Sequence, residues 1–154
     1  MKRGREIRNL PVIDVESGNH LGIVQELKMG RDYQIEGLYY ISPEQGSLYL
    51  PLNKVIQIGR DAVLAEGNGV LPKEVHPPDL EEVQYEGSWV MTDSGKSLGT
   101  VEDIVIEEEQ GKIVGYEISD GYLKDLLTGR KMIAVSDVLT FGNDTVIVKE
   151  NYLE

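Results

Sequence analysis

The sequence contains no cysteine, one tryptophan and one phenylalanine. Without cysteine the chain can form neither a disulfide bond nor a thiolate metal site, and it has no cysteine nucleophile. Its longest apolar runs are only a few residues long, which is too short for a helix that crosses a bilayer. No apolar stretch follows the basic residues at its start, so we predict no signal peptide and a cytoplasmic location.

Basic residues are also scarce, because 15 lysines and arginines stand against 27 acidic residues, for a formal net charge of −12. A nucleic-acid-binding protein needs a basic surface to replace the counterions of the phosphates. The charge balance therefore argues against direct nucleic-acid binding and against attachment to an anionic membrane. The basic cluster of the chain is interpreted as a solvated leader, and it comprises Lys2, Arg3, Arg5 and Arg8.

Motifs for catalysis are missing as well. The two histidines, His20 and His76, lie in a predicted turn and a predicted linker, where the sequence signals neither a nucleophile nor an orienting group. The acidic run 107–109 lacks the ligand spacing of a calcium loop, and we interpret it as a solvated hairpin tip. No P-loop and no nucleophile elbow is present. The sequence therefore predicts no enzymatic activity, no cofactor and no metal site.

What the sequence does contain is an internal repeat. Residues Ser17–Val24 read Ser-Gly-Asn-His-Leu-Gly-Ile-Val, and residues Ser94–Val101 read Ser-Gly-Lys-Ser-Leu-Gly-Thr-Val, about half a chain later. Each copy predicts a tight turn followed by a strand. Its first glycine supplies a positive φ, and its second lets the chain bend or lets a neighbouring backbone come close. Leu50–Ala65 and Ile133–Val148 repeat in the same way, each with a glycine-containing hairpin turn.

Both halves consist of short stretches rich in Val, Ile, Leu and Tyr that are separated by turn residues, which is typical of a small barrel or sandwich. In the pair Tyr39-Tyr40, strand alternation predicts one ring in the core and one outside. Single helical turns are expected at 52–55 and 135–138, with Asn53 and Ser136 as caps. The predicted strands lie near 11–15, 22–29, 34–42, 47–51, 56–58 and 62–66, and near 89–92, 99–107, 112–119, 131–135, 139–141 and 145–149.

The aligned halves each resemble a PRC-barrel domain, the small β-barrel named after the H subunit of the photosynthetic reaction centre. The resemblance rests on the opening Val-Ile-Asp…Ser-Gly…Leu-Gly-x-Val of Val12–Val24, on a glycine-containing third strand and on the closing segment Leu50–Val63. The second half, with Gly-Tyr-Leu-Lys-Asp-Leu-Leu-Thr-Gly-Arg at 121–130, is similar to the small free-standing PRC-barrel proteins of spore-forming bacteria. The resemblance implies binding rather than catalysis.

The predicted fold is therefore all-β, with two tandem PRC-like barrels and a short helical insertion in the second. Residues 1–72 are assigned to the first barrel, 80–154 to the second, and the proline-containing stretch 73–79 to the linker. The two halves are expected to pack on each other, because a barrel of half the chain would be marginally stable alone.

The insertion, residues 120–130, has no counterpart in the first half. Asp120 can cap a helix and Gly129 can end it, and four apolar residues between them fall on one face. We predict a short amphipathic helix that either binds a partner or covers an open barrel end as a lid. The proposed partner-binding residues are Tyr122, Leu123, Leu126, Leu127 and Arg130, the last of which could pair with an acidic group.

The resulting hypothesis is a non-enzymatic scaffold or adaptor that binds a protein partner through the insertion helix or through an exposed strand edge. The alternative is an accessory factor in RNA metabolism or ribosome maturation that acts by docking on a protein partner. Exposed strand edges could also join two copies of the chain into a homo-oligomer.

Overall fold

The computed structural model describes residues 1–30, 32–67, 71–72, 85–119 and 131–149. The chain divides into two compact units. The first comprises Met1–Glu82 together with Glu107–Lys112, and the second comprises Val83–Ile106 together with Ile113–Glu154. A hairpin tip from the second half of the sequence, Glu107–Lys112, therefore belongs to the first unit.

The first unit is built around a seven-stranded sheet. Its elements in chain order are β1 (Lys2–Arg3), helix α1 (Gly4–Ile7), β2 (Pro11–Asp14), β3 (His20–Met29), β4 (Ile35–Ser42), β5 (Gly46–Pro51), β6 (Val55–Ile58), β7 (Val63–Ala65) and β8 (Leu71–Pro72). The strand order across the sheet is β6-β7-β2-β3-β4-β5-β8. β2 and β7 run parallel, whereas β2 with β3, β3 with β4 and β4 with β5 are antiparallel.

The second unit repeats this topology. Its strands are β9 (Trp89–Thr92), β10 (Ser97–Glu107), β11 (Lys112–Ser119), β12 (Lys131–Ala134), β13 (Val138–Phe141) and β14 (Thr145–Val148). The order β13-β14-β9-β10-β11-β12 corresponds strand for strand to β6-β7-β2-β3-β4-β5, and the parallel pair, β9 with β14, lies at the same place.

Individual backbone hydrogen bonds repeat as well. The N–H of Asp14 donates to the carbonyl of Asn19 at 2.9 Å, and at the equivalent place the N–H of Thr92 donates to the carbonyl of Lys96 at 2.8 Å. The glycines of the two Ser-Gly turns, Gly18 and Gly95, have φ values of 72° and 87°, as predicted. The sequence repeat is therefore a repeat of the chain path.

Most sequence-based expectations for the secondary structure are confirmed. Each predicted strand matches an observed one to within about two residues at either end. The helical turns are also present, as 3-10 turns at Leu52–Lys54 and Val135–Asp137. The predicted caps are wrong, because Pro51 and Ala134 precede these turns, with no side-chain cap. Asn53 and Ser136 lie inside the turns, where a side chain cannot reach the first N–H groups as a cap does.

Each unit has its own apolar core on one face of its sheet. Burying one aliphatic side chain of this kind contributes about 1.5–3 kcal/mol. The rings of Tyr39 and Tyr40 lie on opposite faces, as predicted, and Tyr40 is 1% exposed. The prediction is wrong about exposure, because Tyr39 on the outer face is only 8% exposed. The most deeply buried aliphatic residues include Ile7, Val12, Leu38, Leu50 and Val63 in the first unit and Val90, Ile104, Ile118, Ile133 and Val146 in the second.

The predicted linker 73–79 and the predicted insertion helix 120–130 lie outside the described residues. Within the described part of the chain, no helix has the length and apolarity needed to cross a membrane.

Candidate functional site

The polar side chains of the first Ser-Gly turn are used to shape the turn itself. Ser17 Oγ donates to Asp14 Oδ2 at 2.8 Å, and the N–H of Glu16 donates to Asp14 Oδ1 at 3.1 Å. These hydrogen bonds, with that from Ser17 the strongest, hold the pKa of Asp14 below its ordinary value. The Ser17 hydroxyl in turn accepts the N–H of Asn19 at 3.2 Å. The carboxylate is therefore engaged in local structure rather than poised for catalysis.

The second Ser-Gly turn reaches the same shape with a hydroxyl in place of the carboxylate. Thr92 occupies the position of Asp14, and its Oγ1 accepts the N–H of Lys96 at 3.0 Å. The hydroxyl groups of Thr92 and Ser94 lie 2.9 Å apart. Two different side chains thus perform the same local task, which identifies the turns as structural features.

A cleft of about 450 Å³ lies beside the first turn. Its wall includes His20, Tyr40, Ser42 and Glu44. Ser42 Oγ accepts the N–H of Glu44 at 3.3 Å, so this hydroxyl caps the β4–β5 turn. Burial raises the pKa of Tyr40 to about 12. Among the described residues of this wall, no nucleophile is paired with a base.

The buried Tyr40 phenol predicts a loss of stability at alkaline pH. In the unfolded chain the phenol ionises near pH 10, whereas in the folded protein it stays neutral up to a pKa of about 12. The stabilisation is fully present below pH 10 and is lost as pH rises through 12. Between these values the free energy of unfolding of the wild type should fall more steeply than that of Tyr40→Phe. Denaturant titrations of both proteins across this pH range test the prediction. An equal fall of the free energy of unfolding with pH in the two proteins would contradict it.

The outer face of the first sheet carries an apolar row, here called the Ile23–Ile41 strip, which is half-buried at Pro11 and exposed at Ile23 and Ile41. Pro11 lies opposite Ile23, and Ile23 lies opposite Ile41, so the three residues form one line across β2, β3 and β4. Ile23 is 53% exposed and Ile41 is 46% exposed. Directly opposed strand residues have Cβ atoms about 5 Å apart, so the strip is continuous.

The neighbouring part of the same outer face is closed. Lys28 is only 2% exposed, and its Nζ lies 3.5 Å from Glu36 Oε2 and 5.7 Å from the centre of the Tyr49 ring. The rings of Tyr39 and Tyr49 lie 5.3 Å apart. The burial of these groups shows that the outer face is covered at one end and open at the strip.

Four further apolar side chains are exposed on the described strands, and one of them is Met132 on β12, which is 39% exposed. Trp89, on β9, is 57% exposed and lies between Thr100 and Thr145 on the neighbouring strands. Ile56 on β6 and Leu139 on β13 occupy equivalent positions in the two units and are 52% and 50% exposed. Such residues are the usual anchors of protein–protein contacts when they are grouped.

The acidic tip Glu107–Lys112 is anchored rather than simply solvated. The side-chain amide of Gln34 donates to the carbonyls of Gln110 at 2.8 Å and Gly111 at 3.1 Å, and the N–H of Ile35 donates to the Gly111 carbonyl at 2.7 Å. The carboxylate of Glu107 accepts the N–H of Gln110 at 2.9 Å. These contacts fix the position of the tip within the first unit.

The sequence-predicted partner-binding residues Tyr122, Leu123, Leu126, Leu127 and Arg130 lie outside the described residues. Among the residues that are described, no group of three or more potential ligands is arranged to hold a metal ion. Sequence reasoning missed the Ile23–Ile41 strip. Its signal was available, because both isoleucines fall on the outward phase of strands whose inward residues are Val24 and Tyr40.

Comparison with known protein families matches residues 83–153 to the PRC-barrel domain. No curated protein matches the chain.

Proposed function

The chain carries a PRC-barrel domain at residues 83–153, and from this premise we propose that it is a non-enzymatic protein-binding scaffold. PRC-barrel domains are small β-barrel modules that often bind other proteins. The strand order shared by the two sheets supports a second PRC-type barrel in the first half. The proposed domain limits are 1–72 and 80–154, with 73–79 as the linker.

The observation that carries this proposal is the Ile23–Ile41 strip. Two isoleucines about half exposed and directly opposed on one sheet face offer a partner an apolar contact without any prior unfolding. Burying each of them would contribute about 1 kcal/mol or more to binding. The helix predicted at 120–130 is proposed as a second contact surface, with Leu123 and Leu126 at its centre.

The proposed partner is a protein in the cytoplasm. The formal net charge of −12 supports a protein rather than a nucleic acid or an anionic membrane, because it provides no excess of basic groups for phosphates. Self-association through strand edges is proposed as a further property, and sedimentation of the purified protein over a range of concentrations tests it.

The double variant Ile23→Glu with Ile41→Glu should recover about tenfold less partner than the wild type, since two charges would replace the apolar contact. The measurement is crosslinking in cells that naturally produce the protein, followed by affinity purification and quantification of bound proteins. Leu139→Glu is the control, because it removes an equally exposed apolar residue from the edge of the other sheet.

A second arm of the same experiment uses Leu123→Asp with Leu126→Asp. Loss of partner with the fold intact would assign the predicted helix to binding, and unfolding would assign it to the core. If both double variants recover as much partner as the wild type, neither surface binds it, and if the wild type itself recovers no protein, the proposed function is wrong. Recovery of RNA in place of protein would also overturn it.

A further inference from the structure

One edge of the first sheet borders a cleft. β6 is the last strand in the sheet order and pairs with β7 on one side, while no strand among the described residues pairs with its other side. A cleft of about 300 Å³ lies between β6 and the acidic tip. Val55, Ile56 and Gln57 line it from the strand, and Glu108 and Glu109 line it from the tip.

The β6 edge is only four residues long and its register with β7 shifts between Val55 and Gln57, but it lacks two other common protections of an open strand. Edge strands are commonly protected by a proline or by a charged side chain, whereas β6 reads Val-Ile-Gln-Ile. The lysine that precedes it, Lys54, is directed elsewhere, since its Nζ lies 3.5 Å from Glu66 Oε2. Ile56, in the middle of the strand, is 52% exposed. An edge of this kind is suited to pair with an added strand.

The opposite wall of the cleft is acidic. The Glu107 carboxylate is occupied by the N–H groups of Glu109 and Gln110, and Glu108 Oε2 lies 3.4 Å from the amino group of Met1. Glu109 is exposed to solvent beside the cleft. The negative charge of the wall is therefore provided mainly by Glu109, because Glu108 is partly balanced by the amino group of Met1 and by the nearby charge of Lys2.

We propose that the β6 edge binds an extended, basic segment of a protein partner by strand addition. Backbone hydrogen bonds to β6 would supply affinity, and alternate side chains of the added strand would supply specificity. One apolar side chain of the segment lies against Ile56, and a lysine or arginine reaches Glu109. The inference rests on the proposed protein-binding function and adds to it the chemistry and conformation of the bound segment.

Several features of the cleft favour this occupant over others. The cleft encloses only about 300 Å³, which is too little for a folded domain, whereas an added strand needs roughly 5 Å beside β6. An acidic segment would be repelled by Glu109. The equivalent exposed leucine of the second unit, Leu139, lies on β13, and it provides a matched position at which a binding defect is not expected.

A displayed library of random peptides of about eight residues tests the proposal on the purified full chain. Selected peptides should be enriched in lysine and arginine over the input library, and they should contain an apolar residue in alternation with the basic one. Ile56→Asp should weaken binding of the best synthetic peptide about tenfold, and Glu109→Lys should weaken it several-fold. Leu139→Asp should bind as the wild type does.

Amide chemical shifts provide the location. Addition of the selected peptide should shift resonances of β6 and of the tip, and raising the salt from about 0.05 M to 0.5 M should weaken binding, because exposed charges are screened. Selected peptides without basic enrichment, shifts confined to other strands, an equal defect in Leu139→Asp, or no enriched peptide at all would each overturn the proposal. So would dimerisation of the protein through β6.

Failure here and failure of the proposed function give different results. If the Ile23→Glu and Ile41→Glu variant loses the cellular partner while Ile56→Asp and Glu109→Lys retain it, the scaffold function stands and the β6 assignment is wrong. If the selected peptide binds at β6 but the wild type recovers no protein partner from cells, the edge binds basic strands and the proposed scaffold function fails.

Discussion

Replacing Gly22 with alanine is expected to destabilise the first unit by about 3 kcal/mol, the upper end of the usual cost of overpacking. A Cβ at this position would overlap the carbonyl oxygen of Ile41 and would lie 2.8 Å from the Ile41 carbonyl carbon and from Cδ2 of Tyr40. Ile41 is held in register opposite Ile23, and Tyr40 is only 1% exposed. Neither group can move away without breaking the β3–β4 ladder or leaving the core.

Gly18→Ala is the control for this prediction. Gly18 has a φ of 72°, but a Cβ there would meet nothing within 4 Å. Its substitution therefore costs only the left-handed backbone strain, about 1–2 kcal/mol. Denaturant unfolding followed by circular dichroism, together with hydrogen exchange of the β3 and β4 amides, separates the two effects. A Gly22→Ala protein as stable as Gly18→Ala would show that the two strands can separate at low cost.

Gln34→Glu is expected to release the acidic tip from the first unit and to cost about 2–3 kcal/mol. The Gln34 amide nitrogen donates to the carbonyl oxygens of Ile35, Gln110 and Gly111 at 3.1, 2.8 and 3.1 Å. A carboxylate in its place would direct a negatively charged oxygen, which can only accept, at these three carbonyl oxygens, which are acceptors themselves. The N–H of Ile35 would still donate to the Gly111 carbonyl, but the repulsion between the new carboxylate and the carbonyl oxygens would oppose this one remaining hydrogen bond.

The chain offers a matched control in Gln110→Glu. Gln110 is exposed, and it contributes only its main-chain carbonyl to the contact with Gln34, so the substitution adds the same charge without removing a donor. Its effect on stability should stay within about 0.5 kcal/mol. Thermal unfolding and hydrogen exchange of the Ile35 amide compare the two variants. If both variants protect the Ile35 amide equally, Gln34 does not hold the tip.

The Gln34 variant also bears on the β6 edge. The tip forms one wall of the cleft, so its release should weaken binding of a basic peptide selected against the wild type. Because Gln34 itself is not among the residues that line the cleft, such a loss would report the position of the tip.

Strand positions and turns followed from the sequence alone because their causes are local. Alternating apolar residues mark strands, and glycines such as Gly18 and Gly95 mark turns that require a positive φ. The close backbone approach expected at the second glycine of the turn is also present, at Gly22. The repeat could be read directly, since equivalent residues make equivalent hydrogen bonds in both units.

Tertiary structure alone decided which surfaces are open. Alternation places both Tyr39 and Ile41 on the outward face of β4, yet Tyr39 is 8% exposed and Ile41 is 46% exposed. Gln34 and Gly111 lie 77 residues apart, and nothing local in either segment predicts their contact. Local patterns determine which way a side chain points, whereas its exposure depends on distant segments that fold against it, and the binding surfaces proposed above depend on that exposure.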